Sequence, residues 1–172
     1  MGNEAEVMRR VAGGDREAYA SLVAHHLSPI TAYSQRMTGN PASAEDITQE
    51  VFLRLWLKAA DFDASKARLT TWLHRMAHNL AIDHLRKRQR EAPLEGFEDF
   101  ESAADEETGD PARVLQALMQ LPERQRSALT LTYYQDLSNR EVADIMGLGT
   151  RAVESLLVRA RSALKKILET PS

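Results

Sequence analysis

The chain has 172 residues, of which 43% are hydrophobic and 27% are charged, and it contains no cysteine. A chain of this length forms one domain or two small ones, and without cysteine it has neither disulfides nor thiolate metal sites. No apolar run reaches the roughly 18–20 residues that span a bilayer, and residues 1–10 lack the apolar core of a signal peptide. The composition therefore predicts a cytoplasmic globular protein without membrane insertion.

The net charge of −3 is unevenly distributed along the chain. Residues 1–90 carry 13 Lys/Arg against 10 Asp/Glu, and residues 111–172 carry nine Lys/Arg against six Asp/Glu. Between them, residues 91–110 carry nine Asp/Glu and no Lys/Arg. Because nucleic acids attract local positive charge, the acidic whole-chain balance does not argue against a nucleic-acid partner.

Apolar residues at three- and four-residue spacing predict three helices in the N-terminal half. The first covers residues 15–36, the second starts near residue 40, and the third runs from about residue 70 to residue 90. The side chains that can cap the second and third helices are Asn40 or Ser43 and Thr70 or Thr71. Glu45 and Asp46 are expected in the first turn of the second helix, where the helix dipole favours acids. The third helix ends in a basic run at residues 86–90.

Residues 91–110 hold few aliphatic side chains and many acids, which predicts a flexible, self-repelling linker. Beyond it, Pro111 suits the first turn of one helix, and Leu121-Pro122 precedes another. No strand-period alternation persists in the sequence. The predicted fold is all-α, with one small helical domain at residues 1–90, the linker at residues 91–110 and a second helical domain at residues 111–172. Two domains joined in this way are expected to adopt many relative orientations.

The C-terminal residues have the pattern of a helix-turn-helix. Ser138 and Glu141 form a capping box before a short helix, and Gly147 supplies the positive φ that a tight turn needs. The long helix from Thr150 carries these side chains on its polar face: Arg151, Glu154, Ser155 and Arg159. A recognition helix in the major groove has this layout. The alternative is an ordinary helical hairpin with a solvated face, which the turn glycine and the small Ala143 disfavour.

Four segments stand in an order that is typical of one protein family. They are Ala44-Glu45-Asp46-Ile47-Thr48-Gln49-Glu50-Val51-Phe52, Thr71-Trp72-Leu73-His74-Arg75-Met76-Ala77-His78-Asn79, Leu121-Pro122-Glu123-Arg124-Gln125-Arg126 and the helix-turn-helix around Gly147. From about residue 15 to residue 168, the chain resembles the extracytoplasmic-function sigma factors of the sigma-70 family. The resemblance implies a protein without catalysis or cofactors that directs RNA polymerase core to promoters of a stress- or envelope-responsive regulon. An anti-sigma factor is implied as a further partner.

The resemblance also implies roles for individual residues. Contacts to the β′ clamp of the polymerase core are expected at Asp46, Gln49, Glu50, Phe52 and Leu53, and the C-terminal domain is expected to meet the β flap. The minus-10 promoter element is expected to contact Lys66, Arg68, Arg75, Asn79, Arg86 and Lys87. The minus-35 element and its flanking backbone are expected to contact Arg124, Arg126, Thr150, Arg151, Glu154, Ser155 and Arg159. Glu154 stands where many relatives are basic, so either a different base preference or a lower affinity is expected at this element.

Three other functions are weighed against this one. His74, His78 and His84 suggest a zinc hydrolase, but Arg75 stands where a His-Glu-x-x-His motif places its general base. A stand-alone regulator would use only the helix-turn-helix, and a sigma mimic would bind anti-sigma proteins but not polymerase.

Trp72 has two possible roles, as a base-stacking platform or as a core residue, and its spacing favours core packing.

Overall fold

The computed structural model describes residues 3–91 and 110–170, and every regular element in these ranges is helical. The N-terminal half contains α1 (Glu4–Ala12), α2 (Arg16–Thr38), α3 (Pro41–Leu57), a 3₁₀ turn at Ala59–Asp61 and α4 (Leu69–Glu91). The C-terminal half contains α5 (Pro111–Met119), α6 (Glu123–Tyr133), α7 (Asn139–Met146) and α8 (Thr150–Glu169). The all-α prediction is confirmed. Most of the predicted acidic linker, residues 92–109, lies outside the described residues. Within the described ranges, no helix is long and apolar enough to cross a membrane.

Helix α1 is the element that the sequence pattern did not indicate. Its nine residues bury only two side chains, too few for a periodic signal: Met8 and Val11. The carboxylate of Glu4 accepts a hydrogen bond at 3.0 Å from the backbone N–H of Leu69, the first residue of α4. Helix α1 therefore caps a helix that lies far along the chain. The predicted caps of α4, Thr70 or Thr71, are wrong because the helix begins before them.

The junction between α2 and α3 follows the predicted break. Gly39 ends α2 with a φ of 67°, in the left-handed region that favours glycine. The side chain of Asn40 accepts a hydrogen bond at 3.1 Å from the backbone N–H of Ser43, so Asn40 is the N-cap. Because α3 begins directly after Asn40, Glu45 and Asp46 lie beyond its first turn, contrary to the expectation.

The buried apolar side chains of both halves form one continuous core. The stripe predicted for α3 is buried, and its members are Ala44, Ile47, Val51 and Leu55. Between α7 and α8, Val142 and Val153 are fully buried. Trp72 packs on Phe62 with 5.3 Å between the ring centroids, and both rings are partly buried against the core. These contacts favour core packing for Trp72 over base stacking.

The two halves pack against each other, unlike the freely oriented domains that the linker predicts. The Tyr33 hydroxyl on α2 lies 2.9 Å from the Ser127 hydroxyl on α6 and 3.2 Å from Nδ1 of His78 on α4. All three side chains are buried. A second contact joins Nε2 of His74 to Oε1 of Gln135 at 3.0 Å. Because buried polar groups need partners, these hydrogen bonds select one arrangement of the two halves.

Arg126 on α6 bonds carbonyls of its own half and one carbonyl of α2 across the contact. Its guanidinium donates to four main-chain carbonyls, those of Met37, Leu118 (2.9 Å), Met119 (3.1 Å) and Leu121 (3.0 Å). Met37 and Leu118 are the penultimate residues of α2 and α5, so two helix C-termini converge on one cation. Terminal carbonyls lack intrahelical partners, and the dipole there favours positive charge. Burial lowers the pKa of Arg126 from its usual value.

Candidate nucleic-acid interface

The turn between α7 and α8 has a conformation that favours glycine. Gly147 has a φ of 68°, and a Cβ there would meet nothing within 4 Å, so backbone conformation rather than space requires glycine. The N–H of Leu148 donates to the carbonyl of Ala143 at 2.9 Å and closes the end of α7. At the other end, Ser138 and Glu141 form the predicted capping box. The helix-turn-helix prediction is confirmed in its local geometry.

Helix α8 exposes one polar face and buries the other. Its buried side chains are Val153, Leu157 and Ala160. The side chains predicted to read the minus-35 element on this helix are all exposed: Thr150, Arg151, Glu154, Ser155 and Arg159. Since positions three and four apart share a helix face, these residues form one accessible surface. Arg124 on α6 is also exposed.

Helix α4 carries a row of polar and basic side chains. Arg75, Asn79 and Arg86 follow Arg68 at intervals close to whole helical turns, which places all four on one side of the helix. We call these four residues the α4 stripe. All four are exposed, as are Lys66 in the preceding turn and Lys87 near the end of the helix. Four of the six predicted minus-10 residues therefore lie on one side of α4.

Each arginine of the α4 stripe faces a carboxylate of the C-terminal half. Nε of Arg68 lies 3.2 Å from the Glu141 carboxylate on α7. The Arg75 guanidinium lies 4.0 Å from Asp144, also on α7. Nε of Arg86 lies 3.6 Å from Glu123 at the start of α6. The positive charges of the stripe are thus matched to negative charges of this same chain.

Glu141 has two roles in this arrangement. Its Oε1 accepts from the backbone N–H of Ser138 in the capping box, while Oε2 accepts from Arg68 and, at 3.0 Å, from the hydroxyl of Thr71. Partial burial alone would raise the pKa of Glu141, but the hydrogen bonds from Arg68 and Thr71 outweigh it and hold the pKa below its usual value. Glu141 therefore stays ionised beside α4.

Helix α3 presents a separate polar surface. Asp46 and Gln49 are exposed, Glu50 is half-buried, and the apolar Leu53 beside them is 49% exposed. Phe52 is different: it is 5% exposed and belongs to the core. The structure corrects the predicted polymerase contact at Phe52, because its side chain points inward and supports the surface rather than forming it.

The structure also corrects the predicted DNA contact at Arg126. Its side chain is 6% exposed, and its guanidinium already donates to four carbonyls. In this arrangement it has no path to a phosphate. A basic residue beside a helix start gives the same sequence signal whether it is exposed or buried, so the pattern did not distinguish the two.

Two of the three histidines considered for zinc, His74 and His78, lie in the contact between the halves. Burial lowers the pKa of His78 to about 4, and the charges of Arg124 and Arg86 act in the same direction. His74 is bonded through Nδ1 to the Thr70 carbonyl at 2.7 Å and through Nε2 to Gln135. Among the described residues, no group of three or more His, Cys, Asp or Glu side chains is placed to hold a metal ion.

Several residues of the candidate interface carried no sequence signal for their position. They are the acids that face the α4 stripe, Glu123, Glu141 and Asp144, and the buried pair Tyr33 and Ser127. Each has an ordinary local interpretation, as a cap, a surface acid or a core residue. The hydrogen bonds that connect these residues across the two halves join positions between 49 and 94 apart in the sequence. The periodicity of a single sequence does not indicate which distant residues will meet.

Known proteins resemble both halves of the chain. The profile of sigma-70 region 2 matches residues 22–91, and that of sigma-70 region 4 matches residues 112–164. The chain is 31% identical to the ECF RNA polymerase sigma factor SigW of Bacillus subtilis, over 94% of each chain. It is 32% identical to the RNA polymerase sigma-H factor of Pseudomonas aeruginosa, over 95% of this chain and 93% of the relative.

Two solved structures have a similar fold. CnrH in complex with the cytosolic domain of CnrY superposes with a TM-score of 0.76 at 25% identity, covering 98% of this chain and 99% of CnrH. The sigma factor RpoE, in complex with the anti-sigma factor NepR from Bartonella quintana, superposes with a TM-score of 0.78 at 23% identity, covering 90% and 98%. An all-helical chain with a region 2 bundle and a region 4 helix-turn-helix is a sigma factor of the sigma-70 type. The chain belongs to the extracytoplasmic-function (ECF) group of that family.

Proposed function

We propose that this protein binds RNA polymerase core in the cytoplasm and directs it to promoters, without a catalytic step of its own. In this proposal α3 anchors the polymerase, the α4 stripe binds the minus-10 element, and the outer face of α8 reads the minus-35 element. The observation that carries the proposal is the placement of these three accessible polar surfaces on the helices that match regions 2 and 4. The boundaries at residues 1–90, 91–110 and 111–172 are proposed for the functional parts.

The α3 surface has the chemistry of a protein–protein contact. Gln49 and Glu50 offer amide and carboxylate hydrogen-bonding groups, and Leu53 adds an exposed apolar side chain next to them. Interfaces commonly combine a small apolar centre with polar groups around it. We assign the clamp helices of the polymerase β′ subunit as the partner, and the β flap as the partner of the C-terminal half.

The two DNA surfaces suit different forms of DNA. The α4 stripe is long and basic, which suits the backbone of an opened single strand, and Asn79 can hydrogen-bond a base edge. The α8 face suits the major groove of a duplex, with Arg151 and Arg159 as donors. Glu154 accepts hydrogen bonds only, so we propose that it favours a cytosine amino group.

An anti-sigma factor is proposed as a further partner, in control of a stress-responsive set of genes. The support is the similarity in fold to RpoE and CnrH, whose structures were solved as complexes with NepR and with the cytosolic domain of CnrY.

The proposal is tested by selecting genomic DNA fragments with the chain and sigma-free polymerase core under a polyanion challenge. Core alone and chain alone are the controls. We expect retained fragments only in the combined sample, and we expect them to share two sequence elements at constant spacing. Fragments retained by the chain alone would instead identify a stand-alone regulator. A folded chain that neither binds core nor retains DNA would identify a sigma mimic.

A further inference from the structure

We infer that an open cavity between the two halves is a binding site for a small phosphate-bearing anion. The cavity has a volume of about 340 Å³, and sites for small molecules range over roughly 300–1,000 Å³. Residues of α2 and α4 line one side of it, and the residues that follow α6 line the other. The inference is independent of the proposed function, because it depends on this cavity alone.

The side chains that line the cavity suit an anion. They include one arginine, Arg36, and three histidines, His25, His26 and His74. Among the described residues of this lining there is no acid. Guanidinium and imidazole N–H groups donate hydrogen bonds to phosphate oxygens. A cation would meet positive charge here and no carboxylate, so the lining selects an anion.

His26 is a buried polar residue that lacks a partner. It is 8% exposed, yet it forms no hydrogen bond with any residue that the structure describes. Its ring packs edge-on against His25, with 4.8 Å between the ring centroids. Both ring nitrogens keep access to solvent where His26 lines the cavity. Because buried polar groups need hydrogen-bond partners, a ligand in the cavity can supply the one that His26 lacks.

His26 is neutral in the folded chain and can gain a proton when an anion binds. Burial lowers its pKa to about 4, the charges of His25 and His74 act in the same direction, and the charge of Glu4 opposes them. A neutral imidazole donates one hydrogen bond, whereas the protonated ring donates two. A negative charge beside the ring favours the protonated form. We therefore expect anion binding to raise the pKa of His26.

Arg36 supplies the fixed positive charge of the site. Its guanidinium lies 3.9 Å from the centroid of the Tyr134 ring. Within the part of the chain that the structure describes, no carboxylate pairs with this guanidinium and no group accepts its N–H donors. Stacking covers one face of the planar group and leaves the N–H donors in its plane accessible. A phosphate group can accept two of these donors at once.

Both halves contribute to the cavity, so a bound anion would connect them. Arg36 and His26 belong to α2, whereas Tyr134 and Gln135 belong to the C-terminal half. Gln135 also contacts Nε2 of His74 across the same boundary at 3.0 Å. Because the site is complete only while the halves are packed, an anion bound there stabilises that packing.

The five histidines of the chain report on the site by NMR. The full chain is titrated with inorganic phosphate at constant ionic strength, and the imidazole signals are followed. We expect saturable shifts at His25, His26 and His74, with that of His26 toward the protonated form. His84 lies outside the cavity, near the charges of Lys87 and Arg88, and reports non-specific attraction of phosphate. We expect no saturable shift at His84.

Two variants test whether the site or the overall charge binds phosphate. We expect Arg36→Gln to weaken phosphate binding at least about tenfold, because it removes charge-assisted hydrogen bonds. The matched control is Arg16→Gln, which removes the same charge from an exposed position at the start of the same helix and should leave the affinity unchanged. If Arg36→Gln does not fold, His26→Phe repeats the test by removing the ring nitrogens of His26.

Parallel titrations with pyrophosphate and with AMP identify the source of the phosphate group. Tighter binding of AMP than of inorganic phosphate would identify a nucleotide, and the reverse order would identify a free anion. Two results would overturn the inference. One is the absence of saturable shifts at the cavity histidines with all three probes. The other is an equal loss of affinity in Arg36→Gln and Arg16→Gln, which would show attraction to overall charge rather than binding at this site.

Discussion

At the scale of single residues, Gly147 is required by its backbone conformation. Its φ of 68° is strained for any residue with a Cβ, although space is available around it. We expect Gly147→Ala to lower the free energy of unfolding by about 1 kcal/mol, measured by urea denaturation. Gly13→Ala is the control, because Gly13 also ends a helix but has an ordinary φ of −81°. Equal losses for the two variants would contradict this account of the turn.

His78 makes the stability of the fold depend on pH. It is bonded to Tyr33 of α2 and Ser127 of α6, and the charges of Arg124 and Arg86 act on it. Burial lowers its pKa from 6.5 to about 4. Between about pH 4 and pH 6.5, this histidine is protonated in the unfolded chain and neutral in the folded chain. Stability is therefore full above about pH 6.5 and falls toward pH 4, by about 1.4 kcal/mol per pH unit.

This pH dependence is measured by urea denaturation at several pH values. Burial also lowers the pKa of His26 to about 4, so His26 contributes a parallel slope. We expect His78→Asn to remove about 1.4 kcal/mol per pH unit from the total slope and leave the remainder. An unchanged slope in the His78 variant would show that this histidine is protonated in the folded chain.

At the scale of elements, α3 has its core residues on one face and its surface residues on another. Gln49→Ala with Glu50→Ala removes two polar groups without touching the buried stripe. We expect this double variant to bind polymerase core at least about tenfold more weakly. We expect its free energy of unfolding to stay within about 0.5 kcal/mol of the parent value. Fluorescence anisotropy of the labelled chain measures the affinity. Glu6→Ala, an exposed acid on α1, is the control, and a matching loss there would remove the assignment of α3.

The exposed face of helix α8 is expected to discriminate between DNA sequences at the minus-35 element. We expect Arg159→Ala to weaken binding of the holoenzyme to its minus-35 sequence by about 1–3 kcal/mol, with a smaller effect on altered sequences. Arg161→Ala removes the same charge two residues away, where the guanidinium bonds the hydroxyl of Tyr133. It should affect all sequences alike. A uniform loss for Arg159 as well would make it a phosphate contact rather than a base reader.

The elements themselves were largely predictable from the sequence. The break at Gly39, the cap at Asn40, the capping box at Ser138 and the turn at Gly147 depend on neighbouring residues, and the structure confirms each of them. The start of α4 was not predictable, because its cap is Glu4 from a distant helix. Sequence rules predict a cap or a turn correctly where the residues that form it are neighbours in the sequence.

At the scale of the whole molecule, the packing of the two halves depends on contacts that no local pattern encodes. The family resemblance places Arg126 and Phe52 on partner surfaces, yet both are buried. Arg126 is buried because α2, α5 and α6 converge on it. Phe52 is buried because it packs in the apolar core. Sequence periodicity identified which faces are apolar but not which helices meet.

The central claim is that this chain gives RNA polymerase its promoter specificity. The most direct measurement is the mapping of transcript 5′ ends made from genomic DNA by sigma-free core with the purified chain. We predict discrete 5′ ends that share two upstream elements, and we predict their loss in the Gln49→Ala with Glu50→Ala variant. Transcripts at the level of core alone, from folded chain and active core, would contradict the claim.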